Sequence, residues 1–92
     1  MLSKLSDRNF ENSPWYKTSL FPNPSTGSVF IQSDYEVWSY KIESLVGQLI
    51  KQENANAKTF LVDISNYVDG VYLVTITTDK GTMLKKLIKK GL

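Results

Sequence analysis

Val71-Tyr72-Leu73-Val74-Thr75-Ile76-Thr77-Thr78 is the longest β-prone run in the chain. β-Branched and aromatic side chains fit a pleated, packed surface, so the run is predicted as a strand. Its first residues are apolar on both faces, which predicts a central strand covered on both sides. The chain enters it from the turn dipeptide Asp69-Gly70 and leaves through Asp79-Lys80-Gly81, a short hairpin loop with glycine near the positive-φ position. That hairpin also decides the next segment. In Met83-Leu84-Lys85-Lys86-Leu87-Ile88-Lys89-Lys90 the apolar residues stand at 83, 84, 87 and 88, a spacing that suits a helix better than a strand. A hairpin loop directly before it delivers an antiparallel partner, so residues 83–90 are predicted as a strand paired to 71–78.

Upstream, short strand-like runs recur at regular spacing. Residues 28–32 read Ser-Val-Phe-Ile-Gln, and residues 37–43 alternate, with Trp38, Tyr40 and Ile42 on one side. Ser44-Leu45-Val46-Gly47 is predicted as a turn, its Ser44 hydroxyl available to the backbone and Gly47 free to take positive φ. Residues 48–52 and 59–62 are read as further strands, separated by a loop at Asn54-Ala55-Asn56-Ala57. Ile64 and Tyr67 are spaced as in a single helical turn, capped by Asp63 or Ser65. Nearer the start, Leu20-Phe21-Pro22-Asn23-Pro24-Ser25-Thr26-Gly27 cannot be a central strand or a helix, because each proline lacks an N–H and restricts the residue before it. It is read as the end of an edge strand running into a rigid turn. Residues 1–14 are polar and aperiodic, and residues 1–18 are read as a linker, whose large apolar residues Trp15 and Tyr16 are expected to lie against the domain. Seven short runs with turn signals between them predict an all-β, antiparallel sandwich or barrel over residues 19–92, with Ile42, Val62, Tyr72, Val74 and Ile76 in its core.

Composition narrows the function. The 92-residue chain has room for one domain and no second lobe. Histidine and cysteine are both absent. Serine–histidine and cysteine–histidine pairs are therefore excluded, and a zinc or copper site would need carboxylates alone. No cofactor or metal is expected, and no enzymatic activity. Asp34 and Glu36 are the nearest approach to a carboxylate pair, and without a cleft they read as solvated surface acids. No run is long and apolar enough for a membrane helix, and the first residues lack the apolar core of a secretory signal peptide, which is expected further upstream.

The net charge of +2 is unevenly placed. No acid follows Asp79, while Lys80, Lys85, Lys86, Lys89 and Lys90 crowd the end. Such a tail can meet an anionic partner. The competing explanations are a solvated strand face and protection of a strand edge from aggregation.

Three segments together resemble the C-terminal sorting domain of type IX secretion cargo. Leu20-Phe21-Pro22-Asn23-Pro24-Ser25 is similar to that family's opening motif. Val62-Asp63-Ile64-Ser65-Asn66-Tyr67 with Gly70-Val71-Tyr72-Leu73-Val74 resembles its middle block. Gly81 with Lys85-Lys86-Leu87-Ile88-Lys89 resembles its closing strand. The turn around Gly47 is also similar, although the family more often has aspartate at Ser44 and arginine at Gln48. The resemblance covers about residues 19–92 and implies a seven-stranded, Ig-like β-sandwich with Greek-key connections. It implies a domain that rides behind an upstream cargo domain, is read in the periplasm by the outer-membrane translocon or its shuttle protein, and is then cut off by a sortase. The cargo reaches the cell surface or the medium, commonly joined to anionic lipopolysaccharide that this domain does not itself bind. Pro22, Asn23, Pro24, Gly47, Asp63, Ser65, Gly70, Val71 and Tyr72 carry the family motif. Among them Pro22, Pro24, Gly70 and Tyr72 have evident backbone or packing roles. Lys85, Lys86, Lys89 and Lys90, with Gly81, are the candidates for recognition, since no structural role for the lysines is evident.

An alternative is a carbohydrate-binding or adhesion module, in which Trp15, Tyr16, Trp38 and Tyr40 stack on sugars. Trp38 and Tyr40 on one strand face with Ile42 read better as core. Nucleic-acid binding is disfavoured, because the basic end has no arginine and no interleaved aromatics.

Overall fold

A computed structural model describes residues 17–91. The expectations for Trp15, Tyr16 and most of the linker lie outside the described residues. The chain forms five strands: β1 (Thr18–Phe21), β2 (Ser28–Ser44), β3 (Leu49–Asp63), β4 (Gly70–Thr78) and β5 (Gly81–Lys89). Every pairing between these strands is antiparallel, along the path β1-β2-β4-β5 with β3 also on β2, while an isolated bridge from Ser25 to Lys89 is parallel. No helix occurs among the described residues.

The C-terminal hairpin obeys its turn chemistry. β4 and β5 pair from Thr78↔Gly81 to Gly70↔Lys89, around the two-residue loop Asp79-Lys80. The Thr78 hydroxyl accepts the Lys80 N–H at 3.0 Å, holding the loop closed. Gly81 sits at φ 130°, in the region that favours glycine. β4 is central, between β2 and β5. Tyr72, Val74 and Ile76 are buried, but Val71, Leu73 and Thr75 on the opposite face are only half-buried. The expectation of two covered faces is thus corrected to one fully buried face, with the other only half-covered among the described residues. In β5 the buried residues are Met83, Leu87 and Lys89, all at odd positions. That period of two marks the strand, and it puts lysine on the core side.

Five strands stand where seven were expected, because two pairs of runs fuse. The runs at 28–32 and 37–43 are joined through residues 33–36, which hold no proline or glycine. There the Asp34 N–H donates to the Lys17 carbonyl at 3.0 Å, and the Asp34 carboxylate accepts the Lys17 N–H at 2.9 Å. The Ser33 hydroxyl accepts the Tyr35 N–H at 3.2 Å, so the backbone stays satisfied without a loop. The runs at 48–52 and 59–62 are likewise joined, and the loop expected at 54–57 is instead an irregular stretch of β3 with Asn56 at φ 53°. Asparagine tolerates this left-handed conformation better than most residues.

Register shifts let β2 bend. Val29, Ile31, Ser33 and Val37 are buried at odd positions, and Tyr40 and Ile42 at even ones. The shift between Val37 and Ser39 makes the exchange, as a β-bulge does. It also corrects the expectation that Trp38 and Tyr40 share a face: Tyr40 is buried and Trp38 is exposed. Both ends of β2 therefore feed one core, in which Val29 and Ile31 join Val62, Ile64, Val74, Ile76 and Leu87. Ile42, Val62, Tyr72, Val74 and Ile76 lie in it, as the sequence predicted.

The turn at 44–48 forms as expected. The Gly47 N–H donates to the Ser44 carbonyl at 2.9 Å, the Gln48 N–H donates to the Ser44 hydroxyl at 3.1 Å, and Gly47 takes φ 89°.

Candidate recognition surface

The three motif segments, far apart in sequence, meet along the outer margin of β5. In an antiparallel ladder alternate residues turn their backbone groups away from the partner. In β5 these outward groups are met by the β1–β2 connection. The Asn23 side chain donates from Nδ2 to the Lys86 carbonyl and accepts the Ile88 N–H at Oδ1, both at 2.9 Å. Two residues on, the Ser25 N–H donates to the Ile88 carbonyl at 2.9 Å and the Ser25 carbonyl accepts the Lys90 N–H at 3.0 Å. Asn23 is flanked by Pro22 and Pro24, both preceded by cis peptide bonds. Neither proline has an N–H to leave unsatisfied at this margin. Ser25 is buried, and its hydroxyl donates to the Ser28 carbonyl at 2.6 Å, which closes the turn. The connection from one end of the sheet path thus seals the strand at the other end.

The middle block closes the same strand from below. Asp63 accepts the Ser65 N–H at 2.9 Å and the Tyr67 N–H donates to the Ile64 carbonyl at 3.0 Å, so Asp63, not Ser65, caps the single turn. Hydrogen bonding from Ser65, by its side chain first and its backbone N–H second, holds the Asp63 carboxyl below its ordinary range. Ile64 is buried and anchors the turn to the core. The Tyr72 hydroxyl donates to the Val68 carbonyl, and its ring lies 5.3 Å from that of Tyr67. Gly70 comes next at φ 156° and opens β4 against Lys89, while Val71 pairs with Ile88.

Lys89 completes this turn. It is 6% exposed, and its ammonium donates to the Tyr67 carbonyl at 3.1 Å and lies 3.5 Å from Asp69 Oδ1. Asp69 in turn accepts the Gly91 N–H, at 2.9 and 3.0 Å to its two oxygens. The Gly91 hydrogen bond, helped by the Lys89 charge, holds the Asp69 carboxyl below its usual range. Lys89 therefore has a structural role that its sequence context hid, as a charge paired and hydrogen-bonded where it is buried. Of the other terminal lysines, Lys85 is half-buried on the core-side face, and Lys86 and Lys90 are exposed. Gly81 is exposed at the far end of the strand. Asn23 and Lys89 are the two residues whose work sequence reasoning undervalued. Their partners lie 63, 65 and 22 residues away, so no local pattern shows them.

Asp34 is engaged with Lys17, and no group of three or more metal-ligating side chains occurs among the described residues. The fold and this margin define a small antiparallel β domain whose signature turns are spent on closing its last strand. Residues 19–90 match the family model of the secretion system C-terminal sorting domain, and the chain belongs to that family, the type IX secretion tails. It is a C-terminal sorting signal, and the protein carrying it is a secreted or cell-surface cargo. No curated protein sequence matches the chain.

Proposed function

We propose that the domain is read as a folded module and performs no catalysis of its own. The translocon or its shuttle protein docks on it in the periplasm, and a sortase then removes it from the cargo. The observation that carries this reading is the convergence of all three motif segments on β5. Asn23, Ser25, the Asp63–Asp69 turn and Lys89 all fix one strand, and they leave Lys86 and Lys90 displayed beside it. A receptor would meet a rigid, basic strand end. The sheet also supports the family's sandwich, if β2 and β3 are counted once on each side of their bend, since residues from both halves of β2 share one core.

The test replaces Lys86 and Lys90 by glutamine in the full chain fused behind a passenger. Exposed charges contribute about 0–1 kcal/mol each, so the thermal midpoint should hold. Export should fall. Export at the parental level with an unchanged midpoint would remove the basic end from the contact and leave the turns at 22–27 and 63–70. Lys89 is left intact in this test, because changing it perturbs the fold.

A further inference from the structure

β3 has the longest sheet margin left open among the described residues. It pairs only with β2, whereas the margin of β5 is sealed at residues 86–90 by Asn23 and Ser25. The direction of its backbone groups is set by one bond. The Ile64 N–H donates to the Gly27 carbonyl, and bonding in an antiparallel ladder alternates. Phe60 and Val62, opposite Ile31 and Val29, therefore bond to β2, while Thr59, Leu61 and Asp63 turn their N–H and C=O groups outward.

Leu61 carries a second, independent feature. The register sets Phe21, Phe30 and Leu61 side by side across three strands. They are 42%, 43% and 56% exposed, and the rings of Phe21 and Phe30 stack at 5.7 Å. This apolar row stops at the very residue whose backbone is open. An extended chain added there would satisfy the backbone groups and lengthen the row.

We propose that the occupant is a second copy of the chain, paired antiparallel through residues 59–63 about a two-fold axis at Leu61. The stretch Thr59-Phe60-Leu61-Val62-Asp63 is its own complement in this arrangement. Leu61 meets the partner's Leu61 on the outer face, Phe60 meets the partner's Val62 on the core side, and Asp63 meets the partner's Thr59. Apolar side chains meet apolar ones on both faces, and no like charges stand opposite, an arrangement that would destabilise the pair. Neighbouring registers are worse. An axis at Asp63 sets carboxylate against carboxylate, and an axis at Thr59 runs into Asn56, whose φ of 53° breaks the strand. The contact is isologous, as closed homodimers require. It is also short, which places it among weak, concentration-dependent associations.

Sedimentation equilibrium and amide hydrogen exchange on the full 92-residue chain test this. Association should rise with concentration. The Thr59 and Leu61 amides should be open in dilute protein and become protected as it associates, while those of Phe60 and Val62 stay protected throughout. Leu61→Lys should weaken association at least about tenfold with little change in thermal midpoint, because a lysine on an open strand edge opposes pairing. Val46→Lys, at another exposed apolar residue, should leave it unchanged. A monomer at millimolar concentration would overturn the proposal. So would association that survives Leu61→Lys, or exchange at Thr59 and Leu61 that ignores concentration.

Discussion

Asn23 shows how one side chain can act as a stretch of strand. Its amide supplies one donor and one acceptor to β5, the same pair a neighbouring residue's backbone would supply. Asn23→Ala removes both bonds and should lower stability by about 1–3 kcal/mol, from roughly 0.5–1.5 kcal/mol per bond. Chemical denaturation would measure this, and faster exchange of the Ile88 amide would locate it. Lys89 is the second such residue. Lys89→Ala leaves the Tyr67 carbonyl and Asp69 without their cation, and a loss of about 1–3 kcal/mol is expected. Lys86→Ala, on the exposed face, should cost under about 1 kcal/mol. Asp69 adds a pH dependence. Its folded-state carboxyl titrates below the ordinary range, so its contribution is present above the unfolded value and is lost as pH falls through the depressed one. The thermal midpoint should therefore drop below about pH 4, and Asp69→Asn should flatten part of that drop. None of these partnerships is legible in sequence, because their members are brought together only by the folded sheet. Lysine at 89 reads as surface for the same reason: charge predicts exposure until a partner is known.

At the scale of elements, the two C-terminal strands and their loop are legible. Val71 to Thr78 carries its own β signal, and Asp79-Lys80-Gly81 fixes the strand that comes after it. The helical spacing of 83, 84, 87 and 88 misleads because Lys85 and Lys89 occupy the core-side positions where apolar residues are expected. β3 is the hardest strand to read. Nearly all of it is exposed or half-buried, with Val62 its one buried residue, so no alternation marks it. An exposed polar stretch invites a break, and Asn54-Ala55-Asn56-Ala57 reads as a loop on that account. Two substitutions test the elements. Ile76→Ala should cost about 2–5 kcal/mol, as truncation of a fully buried isoleucine does. Gly47→Ala, at φ 89°, should cost about 1–2 kcal/mol, and Gly47→Asn less. Urea titration of each variant gives the comparison. A negligible change at Gly47 would mean that the turn adopts another form.

For the whole molecule, fold class and family are legible while the strand count is not. Motif spacing survives in sequence, whereas continuity of β2 depends on register shifts between Gln32 and Val37 and between Val37 and Ser39 that carry no sequence mark. The sealed margin of β5 ties recognition to folding. Removing residues 83–92 takes away Met83 and Leu87 from the buried interior and uncovers β4, so the truncated chain should lose its cooperative transition. A failure of that variant to export would say nothing about a receptor. The most direct measurement uses the intact tail instead. Residues 17–92 with a short upstream linker are fused behind a passenger that carries its own periplasmic signal, and the passenger is then assayed in medium, cell surface and periplasm. In a host with type IX secretion the passenger should leave the periplasm, and in the same host lacking that system it should stay there. Retention in both hosts, or escape from both, would contradict the assignment of this domain as a sorting signal.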